Sequence, residues 1–191
     1  MKYPIILAVV LGFVTIGILN SFAQTTSPTS GDPIYMNYDN LNIKGDVTET
    51  GHENWIELNS FQFGVGRTIS SPTGGSANRE ASAPSVSEIV VTKVMDRSST
   101  SLLQEALAGQ GKPVIIDFVK TGAKGAPMIY AEYKLENVLI SGYSTSSGGD
   151  NPTESISLSF TKITFTFNAQ NVDGTSTPSS VTYDLALAKV S

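Results

Sequence analysis

Residues Ile156 to Phe167 read I-S-L-S-F-T-K-I-T-F-T-F, and their alternation decides the fold. Successive side chains of an extended chain point to opposite faces, so Ile156, Leu158 and Phe160 share one side. Ile163, Phe165 and Phe167 fall on the other. A strand changes its buried face only by inserting an extra residue or by moving to another sheet. The spacing therefore predicts a bulge or a sheet-to-sheet transfer near Thr161-Lys162.

The exchange recurs upstream. Trp55 is followed by Ile56 and Leu58 on the opposite face, after which Phe61, Phe63 and Val65 return to the first; Tyr133 and Leu135 give way to Val138 and Ile140. Strands that swap faces midway are what a closed barrel or a two-sheet sandwich with bent corners requires. Segments rich in Val, Ile, Thr, Tyr and Phe are expected as strands at 34–43, 54–68, 86–95, 114–120, 128–144, 155–167 and 181–190. The fold class is all-β, a closed β-barrel or two-sheet antiparallel barrel with one short side helix. That helix follows Ser98-Ser99-Thr100-Ser101. Ser101 with Gln104 has the spacing of a capping box, Leu102, Leu103, Ala106 and Leu107 form an apolar stripe, and Gly109 and Gly111 stop it. So short a helix is not stable alone, and it is expected to plug or flank the barrel. Three Gly/Ser-rich loops, at 70–84, 121–127 and 145–152, suit mobility or subunit contact. No internal repeat is visible.

The first residues read as an address. Lys2 precedes an apolar run from Pro4 to Leu19, and Asn20-Ser21-Phe22-Ala23 then offers small residues before Gln24, the three-part pattern of a secretory signal. An uncleaved anchor is the alternative. Residues 1–23 are expected to be a signal peptide, 24–31 a flexible polar linker, and 32–191 the folded domain. Removing Lys2 with the signal takes the formal charge from −5 to −6. The expected location is secreted, periplasmic or at the cell surface, without stable membrane association after cleavage.

Composition narrows the function classes. The 191 residues include no cysteine, which removes disulfides, thiolate metal sites and thiol nucleophiles. No run of Lys or Arg provides the footprint of a nucleic-acid binder. Charged residues are 15% of the chain against about 25% in ordinary domains. A surface of Ser, Thr, Gly and Asn is cheap to desolvate, which suits a protein that buries faces against copies of itself.

No constellation carries chemistry. The single histidine, His52, lies in Glu49-Thr50-Gly51-His52-Glu53 and reads as a solvated loop residue, with no G-x-S-x-G elbow to make it part of a triad. Asp39-Asn40-Leu41-Asn42 lacks the oxygen spacing of a calcium loop and reads as a turn. Gly64-Val65-Gly66 and Gly109 to Pro113 fit no phosphate loop. Glu132, Glu136, Glu154 and Asp117 could in principle pair for sugar hydrolysis, but Glu132 and Glu136 look outward. Trp55 and the tyrosines read as core and interface. No catalytic, cofactor or metal residue is assigned, and no enzyme activity is expected.

The order of segments resembles the Hcp (hemolysin-coregulated protein) tube proteins of type VI secretion, from about Asp32 to the C-terminus. The matching pieces are P-I-Y-M-N-Y-D-N-L-N-I-K-G-D from Pro33, W-I-E-L-N-S-F-Q-F-G-V-G from Trp55, V-T-K-V-M-D-R-S-S from Val91 with its Leu-rich helix, L-E-N-V-L-I-S-G-Y-S from Leu135 and P-T-E-S-I-S-L-S-F-T-K from Pro152. The resemblance implies a barrel with one side helix, no enzyme activity and no cofactor. It also implies hexameric rings that stack into tubes through the loop at 68–84, with small secreted effector cargo in the lumen. A cleavable signal departs from the family, whose members assemble in the cytosol, and implies a ring assembled outside the inner membrane. The segment 168–180 also looks lengthened, which alters the ring edge. Two rival readings are a secreted β-barrel binding module for a glycan or protein, and a secreted hydrolase using Glu154 or His52.

Overall fold

The structure is a computed structural model and describes residues 32–70, 80–122, 126–171 and 175–191. The expected signal at 1–23, the linker at 24–31 and the loop segments 71–79, 123–125 and 172–174 lie outside the described residues.

The chain forms β1 (Ile34–Tyr38), β2 (Ile56–Leu58), β3 (Ser60–Gln62), β4 (Val65–Gly66), β5 (Ile69–Ser70), β6 (Glu80–Ala81), β7 (Ser85–Val86) and β8 (Ile89–Val94) before α1 (Ser99–Ala108), the one α-helix among the described residues. After it come β9 (Lys112–Thr121), β10 (Pro127–Ser146), β11 (Thr153–Ser159), β12 (Lys162–Gln170), β13 (Ser176–Asp184) and β14 (Lys189–Val190). Every pairing is antiparallel. The larger sheet runs β14-β13-β12-β10-β9-β1-β2 and the smaller β10-β11-β8-β3. Two short ladders, β4 with β7 and β5 with β6, extend the chain between β3 and β8 as an arm.

The predicted face exchanges are where the chain changes sheets. β11 ends at Ser159 and β12 begins at Lys162, so the chain leaves the smaller sheet for the larger across Phe160-Thr161. The 20-residue β10 serves both: residues 131–136 pair with β12, and 139–146 pair with β11. Between them Asn137 has φ of 55°, and the pairing with β9 slips between Leu135 and Val138. This bulge lets Leu135, Val138 and Ile140 all enter one core. Upstream, β2 pairs with β1, while β3, one residue later, pairs with β8; Asn59 is the corner, its N–H donating to the Thr92 carbonyl at 2.7 Å.

The wall does not close as expected. The ladders end at β14, β3 and β2, and between β2 and β3 the two sheets are joined by the covalent chain rather than by pairing. The core between the sheets is nevertheless continuous, from Met36, Tyr38 and Ile56 through Ile89 and Val91 to Val138, Ile156 and Leu158. The turn after β1 puts Asp39, Asn40 and Leu41 at φ of 54°, 53° and 65°, a left-handed conformation that side chains resist. It is held by Leu41 N–H to Asn37 Oδ1 at 2.8 Å and by Lys112 Nζ to Asp39 Oδ2 at 2.9 Å.

The helix departs from its sequence reading. Ser98 is its N-cap but directs its hydroxyl to Asp96 Oδ1, and the Ser101–Gln104 capping box is not formed, because the helix already begins at Ser99. Of the four apolar residues of the predicted stripe only Leu102 is buried, with Ala106 against the core. Leu103 is 42% and Leu107 78% exposed, so the four residues belong to two faces.

Candidate functional site

The smaller sheet presents one face to the core and the other outward. Cross-strand pairing places Ser60 and Gln62 of β3 beside Thr92 and Val90 of β8. Ser155, Ser157 and Thr153 of β11 come next, and β10 contributes Gly142, Ser144 and Ser146. With Val94, Ser159 and Leu139, none of these outward residues carries a charge. Ser60 Oγ and Thr92 Oγ1 bond at 2.6 Å across the strands. Both margins of this sheet are open: among the described residues no strand pairs with the far side of β3, or with the far side of β10 from Leu139 to Ser146. Unpaired margins expose rows of backbone N–H and C=O groups that invite another chain.

Behind β3 lies an apolar groove of about 370 Å³. Its floor is Tyr133, Phe165 and Val181, with Tyr133 and Phe165 stacked at 4.7 Å between centroids; Phe63, Val65 and Val86 form the opposite wall. Arg67 is the one charged residue at its rim, its Nε–H donating to the Ser82 carbonyl. The groove is the consequence of the open wall: β13 and β14 do not reach the arm of β4 and β7, so the inner aromatic face is left uncovered there. Val65, Phe167, Val181 and Val190 remain between 44% and 63% exposed around it.

Two buried polar clusters hold Glu154 and Asp117, two of the four carboxylates weighed for sugar hydrolysis. Lys93 and Glu154 are fully buried and paired at 2.8 Å. Lys93 Nζ also reaches Asp96 Oδ1 at 2.8 Å and Ser99 Oγ at 3.2 Å, and Tyr143 OH donates to Glu154 Oε1 at 2.6 Å. Burial pushes the Glu154 carboxyl up, but the bonds from Lys93, Tyr143 and Ser99 outweigh it and hold the group below its ordinary value. Burial and the Glu154 charge drive the Tyr143 hydroxyl up to about 12. Lys93, Asp96 and Ser99 come from the β8–α1 junction, and Glu154 and Tyr143 from β11 and β10, so the cluster ties α1 to the smaller sheet. Its signal is in the sequence: Glu154 shares a face with Ile156 and Leu158, as Lys93 does with Ile89 and Val91, and opposite charges on two core faces imply a buried pair.

His52 corrects its reading as a solvated residue. It is 4% exposed, its Nε2 lies 2.9 Å from Asp117 Oδ2, and its ring packs against Tyr35 at 4.9 Å and Trp55 at 4.7 Å. Alternation does put Asp117 and Tyr35 on the outer face of the larger sheet, but the segment from Gly45 to Trp55 folds over that face and buries them. Burial raises the Asp117 carboxyl, partly offset by the His52 bond. Among the described residues Asp117 Oδ1 and His52 Nδ1 have no hydrogen-bond partner, and Glu154 sits in the other sheet. Glu132 and Glu136 face outward, paired with Lys134 and Lys162. Among the described residues no group of three or more His, Cys, Asp or Glu could hold a metal ion. The structure thus places Glu154 and Asp117 in separate buried clusters and Glu132 and Glu136 at the surface, and does not bring the four together.

Comparison with known proteins agrees with this geometry. No curated protein gives a significant match. Solved structures with the same fold include a type six secretion system protein at TM-score 0.74 and 24% identity, covering 84% of this chain and 100% of that one. Hcp1 from Salmonella typhimurium superposes at 0.66 with 21% identity, over 83% of this chain and 98% of its own. A type VI secretion system effector from Yersinia pestis gives 0.62 and 23%, over 79% and 98%. The family profile "Type VI secretion system effector, Hcp" matches residues 35–167. Because that match covers more than half of the chain, the chain belongs to the Hcp family of type VI secretion system effectors.

Proposed function

We propose that this protein is a non-enzymatic ring or tube subunit whose wall is the smaller sheet, tiled edge to edge between copies. The observation that carries this reading is an antiparallel sheet of four strands with both margins open and an uncharged outer face. Because the strand number is even, β3 runs opposite to β10, so β10 of one copy meets β3 of the next as another antiparallel pair. Such a contact joins two different surfaces and closes into a ring when the rotation permits, using up both free margins of the smaller sheet. Family membership supports six copies per ring, stacking through the arm between β4 and β7, and passage of a small effector in a lumen lined by Ser, Thr and Val. The apolar run at 4–19 supports export through a cleaved signal, with assembly outside the inner membrane. A lumen without charges is suited to protein cargo held by weak contacts.

The test uses the absence of native cysteine. Ser60→Cys on β3 is combined in turn with Leu139→Cys, Ser144→Cys and Ser146→Cys on β10. Oxidation is expected to link copies into covalent multimers for at least one register. Assembled particles that link in none of the three would contradict the edge-to-edge wall.

A further inference from the structure

The solvent face of α1 is built like a docking face. Thr100, Leu103, Gln104, Leu107 and Ala108 lie at i, i+3, i+4, i+7 and i+8, and none is charged. Leu107, at 78% exposure, has as little cover as any large apolar residue described. An amphipathic helix normally turns its apolar stripe to its own core; this one does so with Leu102 and Ala106 and presents a second stripe outward. An exposed stripe with this spacing is what a hydrophobic groove recognises. The same chain carries such a groove, walled by Phe63, Val65 and Val181.

The positions of the two surfaces make them complementary between copies. α1 packs on β10, one margin of the smaller sheet, whereas the groove begins at Phe63 and Val65, directly beyond β3, the other margin. Both lie on the core side of that sheet. Joining β10 of one copy to β3 of the next therefore carries the helix of the first to the groove of the second, behind the shared wall. Within one chain they stand at opposite margins of the sheet.

We propose that α1 inserts Leu103 and Leu107 into the Phe63–Val65–Val181 groove of the neighbouring copy. This rests on the ring reading and adds the contact that locks each joint. It covers the exposed leucines of α1 and the apolar groove by one another and leaves the outer wall face free. It also gives the assembly direction, since helix and groove are different surfaces.

The test pairs Leu107→Cys with Val181→Cys in the otherwise cysteine-free protein, alongside a Leu103→Glu/Leu107→Glu variant. Because both leucines are exposed, the glutamate variant should melt like the wild type. It should associate at least about 30-fold more weakly, the range for removing an interface hot spot. The cysteine pair should link copies on oxidation, and neither single-cysteine variant should form covalent multimers larger than a dimer. Rings that assemble without this link, or that persist at unchanged affinity in the glutamate variant, overturn the helix-in-groove contact alone. A wild-type protein that stays monomeric overturns the ring reading and this contact together.

Discussion

Glu154 shows how far single residues can be read. Its place among Ile156 and Leu158 marks it as inward, and Lys93 marks its partner, but the alternation says nothing of Asp96, Ser99 and Tyr143, which complete the cluster. Breaking a buried pair leaves an uncompensated charge, so Glu154→Gln should cost about 3 kcal/mol at pH 7, the low end for such changes because Asp96 still faces Lys93. Urea unfolding at matched pH measures this. The carboxyl is held below its ordinary value of 4.5, so its contribution is present above that pH and is lost as pH falls through the folded value. Wild type should therefore lose stability below about pH 4.5 more steeply than Glu154→Gln does. Asp117, raised by burial, contributes with the opposite sign, gaining as pH falls. His52 was illegible for a different reason. A Gly-flanked polar segment reads as solvated, and only the long-range return of residues 45–55 over β9 buries it.

At the scale of elements, the strands were legible where apolar residues alternate and ambiguous where they do not. The exchanges at Asn59, Asn137 and Phe160-Thr161 are all visible as frame shifts in the sequence, because the two core faces demand apolar side chains whatever the backbone does. α1 was legible as a helix, but its stripe was not resolved into an inner and an outer half, since Leu on either side of the 100° step reads as one band. The loop over the larger sheet depends on Gly45. A Cβ there would run into the Trp55 carbonyl and the Ile56 backbone, which β2 holds in place. Gly45→Ala is expected to destabilise by about 3 kcal/mol, as overpacking against rigid backbone does. Trp55, the sole tryptophan, should report the displaced loop by a red-shifted emission even where the protein stays folded.

For the molecule as a whole, the open wall is the property the sequence could not settle. Strand periodicity fixes which faces are buried, whereas closure depends on whether the β14 margin reaches the β4–β7 arm, a distance that no local pattern encodes. The result is a subunit with two unpaired margins, a charge-free outer face, an uncovered groove and an outward leucine stripe. Each is a liability in a monomer and a contact surface in a ring. Low charge across the chain is the one sequence feature that anticipated this. Electron microscopy of the purified protein, with native mass measurement on the same sample, tests the ring reading most directly. Closed rings of one size, six copies each, are predicted; a monomer at every concentration, or open irregular aggregates without a closed species, would contradict it.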